Sequence, residues 1–246
     1  MTEAGRQNNG RNQEKRNISE TPLLKTNPTL LKVIERITGN IPDPDVLLAT
    51  LNPKQLEKMN GDKTNGGKNG DILGHLAETH LAQSLISLSE VFPGLVVNPI
   101  PNGTETDDFV FRVYGDHNYV VHKKNTGAAY IEYDAFTLVD GLPVVWEVKF
   151  GYSYNGALKN KRVKKILEPL TQYYGDSTAG YVVVTPKASV DESNDAQNKF
   201  IERGGILVTL PVTKTEFTEE VQSTIETRKT HKEKPPLQPR RRPIII

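Results

Sequence analysis

The sequence predicts an α/β fold: a mixed β-sheet with a central antiparallel hairpin, flanked by helices. Three observations carry that expectation. First, apolar runs of period two alternate along the chain with amphipathic stretches of helical period. Second, Asp140-Gly141 separates two runs rich in β-branched and aromatic residues, 130–139 and 142–149. Asp-Gly in that setting is a strong hairpin signal, because both central positions of a type I′ turn require positive φ. Third, Tyr181-Val182-Val183-Val184-Thr185 is continuously apolar, as expected of a strand buried on both faces.

The chain has 246 residues, enough for one domain with a full core. Hydrophobic residues make up 36 %, on the low side, which fits a globular core with polar tails. Formal net charge is +1, so nucleic-acid contact has to come from local patches rather than a global field. The absence of cysteine excludes disulfides, thiolate metal sites and a cysteine nucleophile. No stretch has the length and apolarity of a membrane span, and no secretory signal pattern opens the chain. No membrane partner is expected, and the expected location is cytoplasmic or, in a eukaryote, nuclear.

Residues 1–20 are polar, Asn-rich and nearly free of large apolar groups, so a disordered tail is expected. Residues 21–60 read as a helical segment. Asn27-Pro28 opens a helix with Leu30, Leu31, Val33, Ile34 and Ile37 on one stripe and Gly39 as its stop; residues 42–59 read as one or two shorter helices. Residues 60–70 are a Gly/Asn loop without the spacing of a nucleotide-binding P-loop. The main domain is expected over 71–228. It opens on a helix at 71–91, with Leu73, Leu76, Ala77, Leu81, Leu85 and Leu88 buried and Glu78 at the border of that stripe. His75 and His80 are five apart, off the four-residue spacing of a helical zinc pair, and read as structural.

Strands are expected at 95–100, 109–114 and 119–122, with residues 123–127 turning into the hairpin. A helix is expected over 157–174, kinked or restarted at Pro169. Its start carries the basic cluster Lys159, Lys161, Arg162, Lys164 and Lys165. Such cations suit phosphate contacts, and Lys161, Lys164, Lys165 and Gln172 are the candidate nucleic-acid-binding residues. The strand at 181–185 should stop at Pro186. A helix at 193–203, a strand at 206–210 and a terminal helix at 216–228 follow. Residues 229–246 read as a basic, Pro-rich disordered tail.

The hairpin register locates the chemistry. A two-residue turn puts Val139 opposite Leu142, hence Asp134 opposite Glu147 and Glu132 opposite Lys149, all on one side. Two facing carboxylates repel. A cation between them restores the balance, and a divalent metal on oxygen ligands is the obvious choice. The other side, with Ile131, Tyr133, Ala135, Val144, Trp146 and Val148, should face the core.

Asp134 followed after twelve residues by Glu147-Val148-Lys149 resembles the metal-binding signature of the PD-(D/E)XK nuclease superfamily, the restriction-endonuclease-like enzymes. It is the one acid-x-Lys triplet in this setting, at the end of the second hairpin strand. Tyr133 stands where the family often has proline. The order helix, hairpin, helix, buried strand, helix, strand also matches that core. The resemblance implies an Mg2+-dependent endodeoxyribonuclease, with Mn2+ as a substitute ion. Asp134 and Glu147 would be metal ligands and Lys149 would assist the attacking water. Glu78, on the preceding helix, would be the third acid. DNA is the implied partner, and a homodimer is compatible with double-strand cutting. The alternative on the same fold is a non-catalytic nucleic-acid-binding or assembly module.

Overall fold

The computed structural model describes residues 21–39, 48, 66–114, 118–149, 154–175, 179–187 and 195–232. The expected disordered tail at 1–20, most of the 42–59 helices and residues 150–153 lie outside the described residues. Of the tail expected to be disordered over 229–246, residues 229–232 instead continue the last helix, and the rest lies outside the described residues.

Helices α1 (Pro22–Thr26) and α2 (Pro28–Gly39) lead into the long α3 (Gly66–Ser89). Asn27 pins this entry. Its Oδ1 accepts the Leu30 amide at 2.8 Å as an N-cap, and its Nδ2 donates to the Val139 carbonyl at 3.0 Å, tying α2 to the hairpin. Of the expected apolar stripe of α2, Leu30, Val33, Ile34 and Ile37 are buried and Leu31 is partly buried. The start of α3 is a correction: Gly66–Gly70, expected as loop, is already helical.

Strands β1 (Leu95–Val97), β2 (Phe109–Tyr114), β3 (Asn118–Lys123), β4 (Ala129–Tyr133), β5 (Ala135–Val139) and β6 (Leu142–Val148) follow. Next come α4 (Tyr154–Ala157), α5 (Asn160–Tyr174), β7 (Gly180–Lys187), α6 (Asp195–Glu202), β8 (Ile206–Thr213) and α7 (Lys214–Lys232). One mixed sheet has the order β1-β5-β6-β7-β8, and a separate antiparallel sheet has the order β2-β3-β4. Within the mixed sheet β1, β5 and β6 run antiparallel, while β6, β7 and β8 run parallel. The parallel pairs are joined through α5 and α6, as parallel neighbours require.

The turn at Asp140-Gly141 has φ of 50° and 80°, the type I′ signature, and Val139 faces Leu142 as counted. Gly94 carries a second constraint. A Cβ there would sit 1.9 Å from Asp140 Oδ1, so glycine lets the turn close on the start of β1 without displacing the Asp140 side chain. Pro186 does not end β7. The strand continues to Lys187 with a register shift after Thr185, because proline offers no amide to the ladder. Likewise Pro169 lies inside a continuous α5.

The largest departure is at Asp134. The expected single strand over 130–139 is two strands in two sheets, β4 paired with β3 and β5 paired with β6. Glu132 therefore lies opposite Val120, not Lys149. The bend also changes the faces. Ala135, Val144, Trp146 and Val148 pack in one core with α2 and α3. Ile131 and Tyr133 instead join a second core with Phe136, Val145, Tyr181 and Val183, under α5 and α6. The hairpin face shared by Phe136 and Val145 is this second core, and Asp134 and Glu147 sit at its end.

Candidate active site

Asp134 ends the β5–β6 ladder and replaces the next rung with its own side chain. Its Oδ2 accepts the Val148 amide at 2.6 Å, where a continuing strand would have offered a carbonyl. On the other edge of β6 the Lys149 amide donates to the Val184 carbonyl at 2.8 Å. The strand end is thus held from both sides, and the directions of Glu147 and Lys149 are fixed by backbone.

Glu147 shares the second-core face with Val145, at only 1 % side-chain exposure. Its Oε1 receives Lys149 Nζ at 2.7 Å and Arg162 Nη2 at 3.0 Å. Lys149 Nζ also lies 3.9 Å from Asp134 Oδ2, so one ammonium bridges the two carboxylates. Glu147 Oε2 is buried and has no hydrogen-bond partner among the described residues. A buried carboxylate oxygen left in that state is costly.

Burial, followed by the Glu147 charge, pushes the Asp134 carboxyl up to about 8, against the opposing pull of Lys149. Burial also raises Glu78, while Lys149 and His75 pull it down. For Lys149 burial acts downward, but Asp134, Glu147 and Glu78 outweigh it and the net direction is up. These couplings place Glu78, from α3, within electrostatic reach of the hairpin acids. Among the described residues, however, no three His, Cys, Asp or Glu side chains are gathered closely enough to hold one ion. Asp134 and Glu147 form the close pair, and Glu78 stands further off.

The other sequence candidates divide. Lys161 and Lys164 are exposed on α5, and Lys165 is half-buried with its ammonium 4.7 Å from the Tyr130 ring centroid. Gln172 is engaged elsewhere: its Nε2 donates to Asp108 Oδ2 at 2.7 Å, and its Oε1 accepts the Thr106 hydroxyl at 2.9 Å. Glu132 is exposed, and its Oε1 accepts a long bond from Asn118 Nδ2 at 3.4 Å.

Arg162 is the site residue that sequence reasoning grouped only with the basic cluster. The signal was its spacing, since Arg162 lies four before the buried Ile166 and so at the edge of the inward stripe of α5. We expect Arg162→Ala to destabilise the protein by about 1.5–3 kcal/mol, because a charge-assisted bond to a buried carboxylate is lost. Urea unfolding checks this, and Arg162→Lys should recover part of the loss.

No family model and no curated protein matches the chain. Among solved structures, the crystal structure of protein VC1899 from Vibrio cholerae is similar at a TM-score of 0.34 and 13 % identity. The match covers 84 % of this chain and 52 % of that one, so the chain spans about half the length of that protein.

Proposed function

We propose that the chain is a metal-dependent nuclease acting on DNA, in the manner of the PD-(D/E)XK superfamily. One observation carries the reading: Asp134 and Glu147 are locked side by side at the end of a hairpin, with Lys149 between them. The order α3, β1, hairpin β5–β6, α5, β7 fits the restriction-endonuclease-like core.

The donor set suits a hard divalent cation such as Mg2+, or Mn2+ in its place. The unpartnered Glu147 Oε2 is a ready ligand, and the carboxyl of Asp134 is one that a cation would keep ionised. When bound, such an ion supplies Lewis-acid polarisation of the phosphate and a water of lowered pKa. Asp134 and Glu147 would hold it directly, with Glu78 as the more distant third acid. Lys149 would orient the attacking water and offset phosphate charge as a compact point cation. Arg162 positions Glu147 and keeps its charge tolerable at that depth.

A second reading has an observation of its own. Glu147 is neutralised by Lys149 and Arg162 with no ion needed, as a non-catalytic nucleic-acid-binding or assembly module would require. One experiment separates the two. Plasmid, linear duplex and single-stranded DNA are incubated with MgCl2 or MnCl2, using the native chain, Glu147→Ala and Lys149→Ala. Each variant is expected to lose about 10²-fold or more of the cleavage rate while keeping its circular-dichroism spectrum. Equal cutting by both variants would remove these residues from the chemistry. Metal-insensitive binding without cleavage would establish the module instead.

A further inference from the structure

We propose that the three-stranded sheet β2-β3-β4 and the first turns of α5 form a phosphate-binding track for a DNA strand, with Lys123 and Tyr130 as the sheet's contribution. The identity of the polymer rests on the nuclease reading; the anionic nature of the ligand rests on the patch itself.

Two ammonium groups from different elements converge on one ring. Lys165 Nζ, from α5, lies 4.7 Å from the Tyr130 centroid, and Lys123 Nζ, from β3, lies 5.2 Å from it. The ring is fixed by contact with Phe109 at 4.9 Å between centroids and by its hydroxyl donating to Glu168 Oε2 at 2.5 Å. Lys161 and Lys164 line the same depression of about 520 Å³ with Tyr130, Lys165 and Glu168. Among the described residues none of these four lysines forms an ion pair with a carboxylate.

Three lysines share the depression with a single carboxylate, Glu168, and Lys123 adds a fourth ammonium beside the same ring; these like charges repel one another. The first turn of α5 adds to this, since it holds no acidic residue to meet the positive end of the helix. A polyanion relieves the repulsion, and a fixed aromatic ring flanked by lysines is a surface on which a sugar-phosphate chain can rest.

The position fits a substrate path. Lys161 and Lys165 flank Arg162, which reaches Glu147. Tyr130 precedes Asp134 by four residues, about 13 Å of strand at 3.3 Å per residue. That distance is about four base steps of a duplex strand. The track would therefore grip the backbone a few nucleotides from the carboxylate pair.

The test is binding, read without cleavage. Fluorescence anisotropy of a labelled duplex of about 20 base pairs, in EDTA, is followed between about 50 and 200 mM KCl. Lys123→Ala/Lys165→Ala should lower the slope of log K against log salt by about 2, near 0.9 for each lost phosphate contact. Affinity should weaken to a similar extent on unrelated sequences, and Lys123→Glu/Lys165→Glu should weaken it further. A melting curve for each variant verifies folding. An unchanged slope in folded variants, or no duplex binding by the native chain, overturns the track. A normal slope without metal-dependent cleavage by the native chain would overturn the nuclease reading and leave the track standing.

Discussion

Asp134→Asn is expected to raise the melting temperature of the metal-free protein and, on the proposed nuclease reading, to abolish magnesium binding and cleavage. The two effects share one cause. In the native chain a carboxyl is buried beside Glu147, and burial holds its pKa at about 8. Folding therefore requires that a group ionised in the unfolded chain take up a proton at neutral pH. An amide has no such requirement. Asn can still accept the Val148 amide that Asp134 accepts at 2.6 Å, and its NH2 can donate to Glu147 where a carboxylate would repel it.

At about 1.36 kcal/mol per pKa unit, and discounting for coupling to Lys149, the gain is on the order of 2–4 kcal/mol near pH 7.5. For a domain of this size that is roughly 5–15 °C. The direction with pH follows from the raised value. Stability from this group is full below the unfolded carboxylate range near 4 and is lost as pH climbs through about 8. Melting curves of the native chain should fall over that window, and those of Asp134→Asn should lack this fall. On the proposed reading, saturating MgCl2 should flatten the native curve, because a bound cation would offset the ionised carboxylate. Magnesium binding near pH 7 should also release close to one proton, measurable by calorimetry in buffers of different ionisation enthalpy. A fall of equal steepness in the variant would show that Asp134 is not the group responsible.

Trp146→Ala should be the most damaging single change to the fold. The indole is fully buried in the core shared by β6, α2 and α3, and its Nε1 donates to Thr137 Oγ1 at 2.9 Å. Truncation leaves a large cavity, about 3–5 kcal/mol, and strands the buried Thr137 hydroxyl for about 1–3 kcal/mol more. That is a large share of an ordinary domain's 5–15 kcal/mol, so little cooperative unfolding should survive at 37 °C. Trp146→Phe separates the two contributions, since it keeps most of the packing and loses the donor. It should cost about 1–3 kcal/mol by urea titration. If the alanine variant were as stable as the phenylalanine variant, the cavity argument would fail.

Local chemistry alone fixed several features. Asp140-Gly141 specified a type I′ turn because few pairs tolerate two positive φ angles in succession, and the turn set the register that brings Asp134 and Glu147 together. The helical stripes of α2 and α3 and the doubly buried β7 followed from period and hydrophobicity. The absence of any helix long and apolar enough to cross a membrane, among the described residues, follows from composition in the same way.

What only the tertiary structure decided lies where alternation is ambiguous. Tyr130 to Val139 reads as one strand, because a period of two does not record a change of sheet. The change at Asp134 depends on a carboxylate taking a backbone amide from β6, a contact between residues fourteen apart. The same change hands Ile131 and Tyr133 to the other core, separates Glu132 from Lys149, and brings Tyr130 beside Lys165 of α5. The pairing of Arg162 with Glu147 is likewise set by how α5 seats on the sheet. The sequence determined which acids face each other; packing determined how deeply they are buried and which cations hold them.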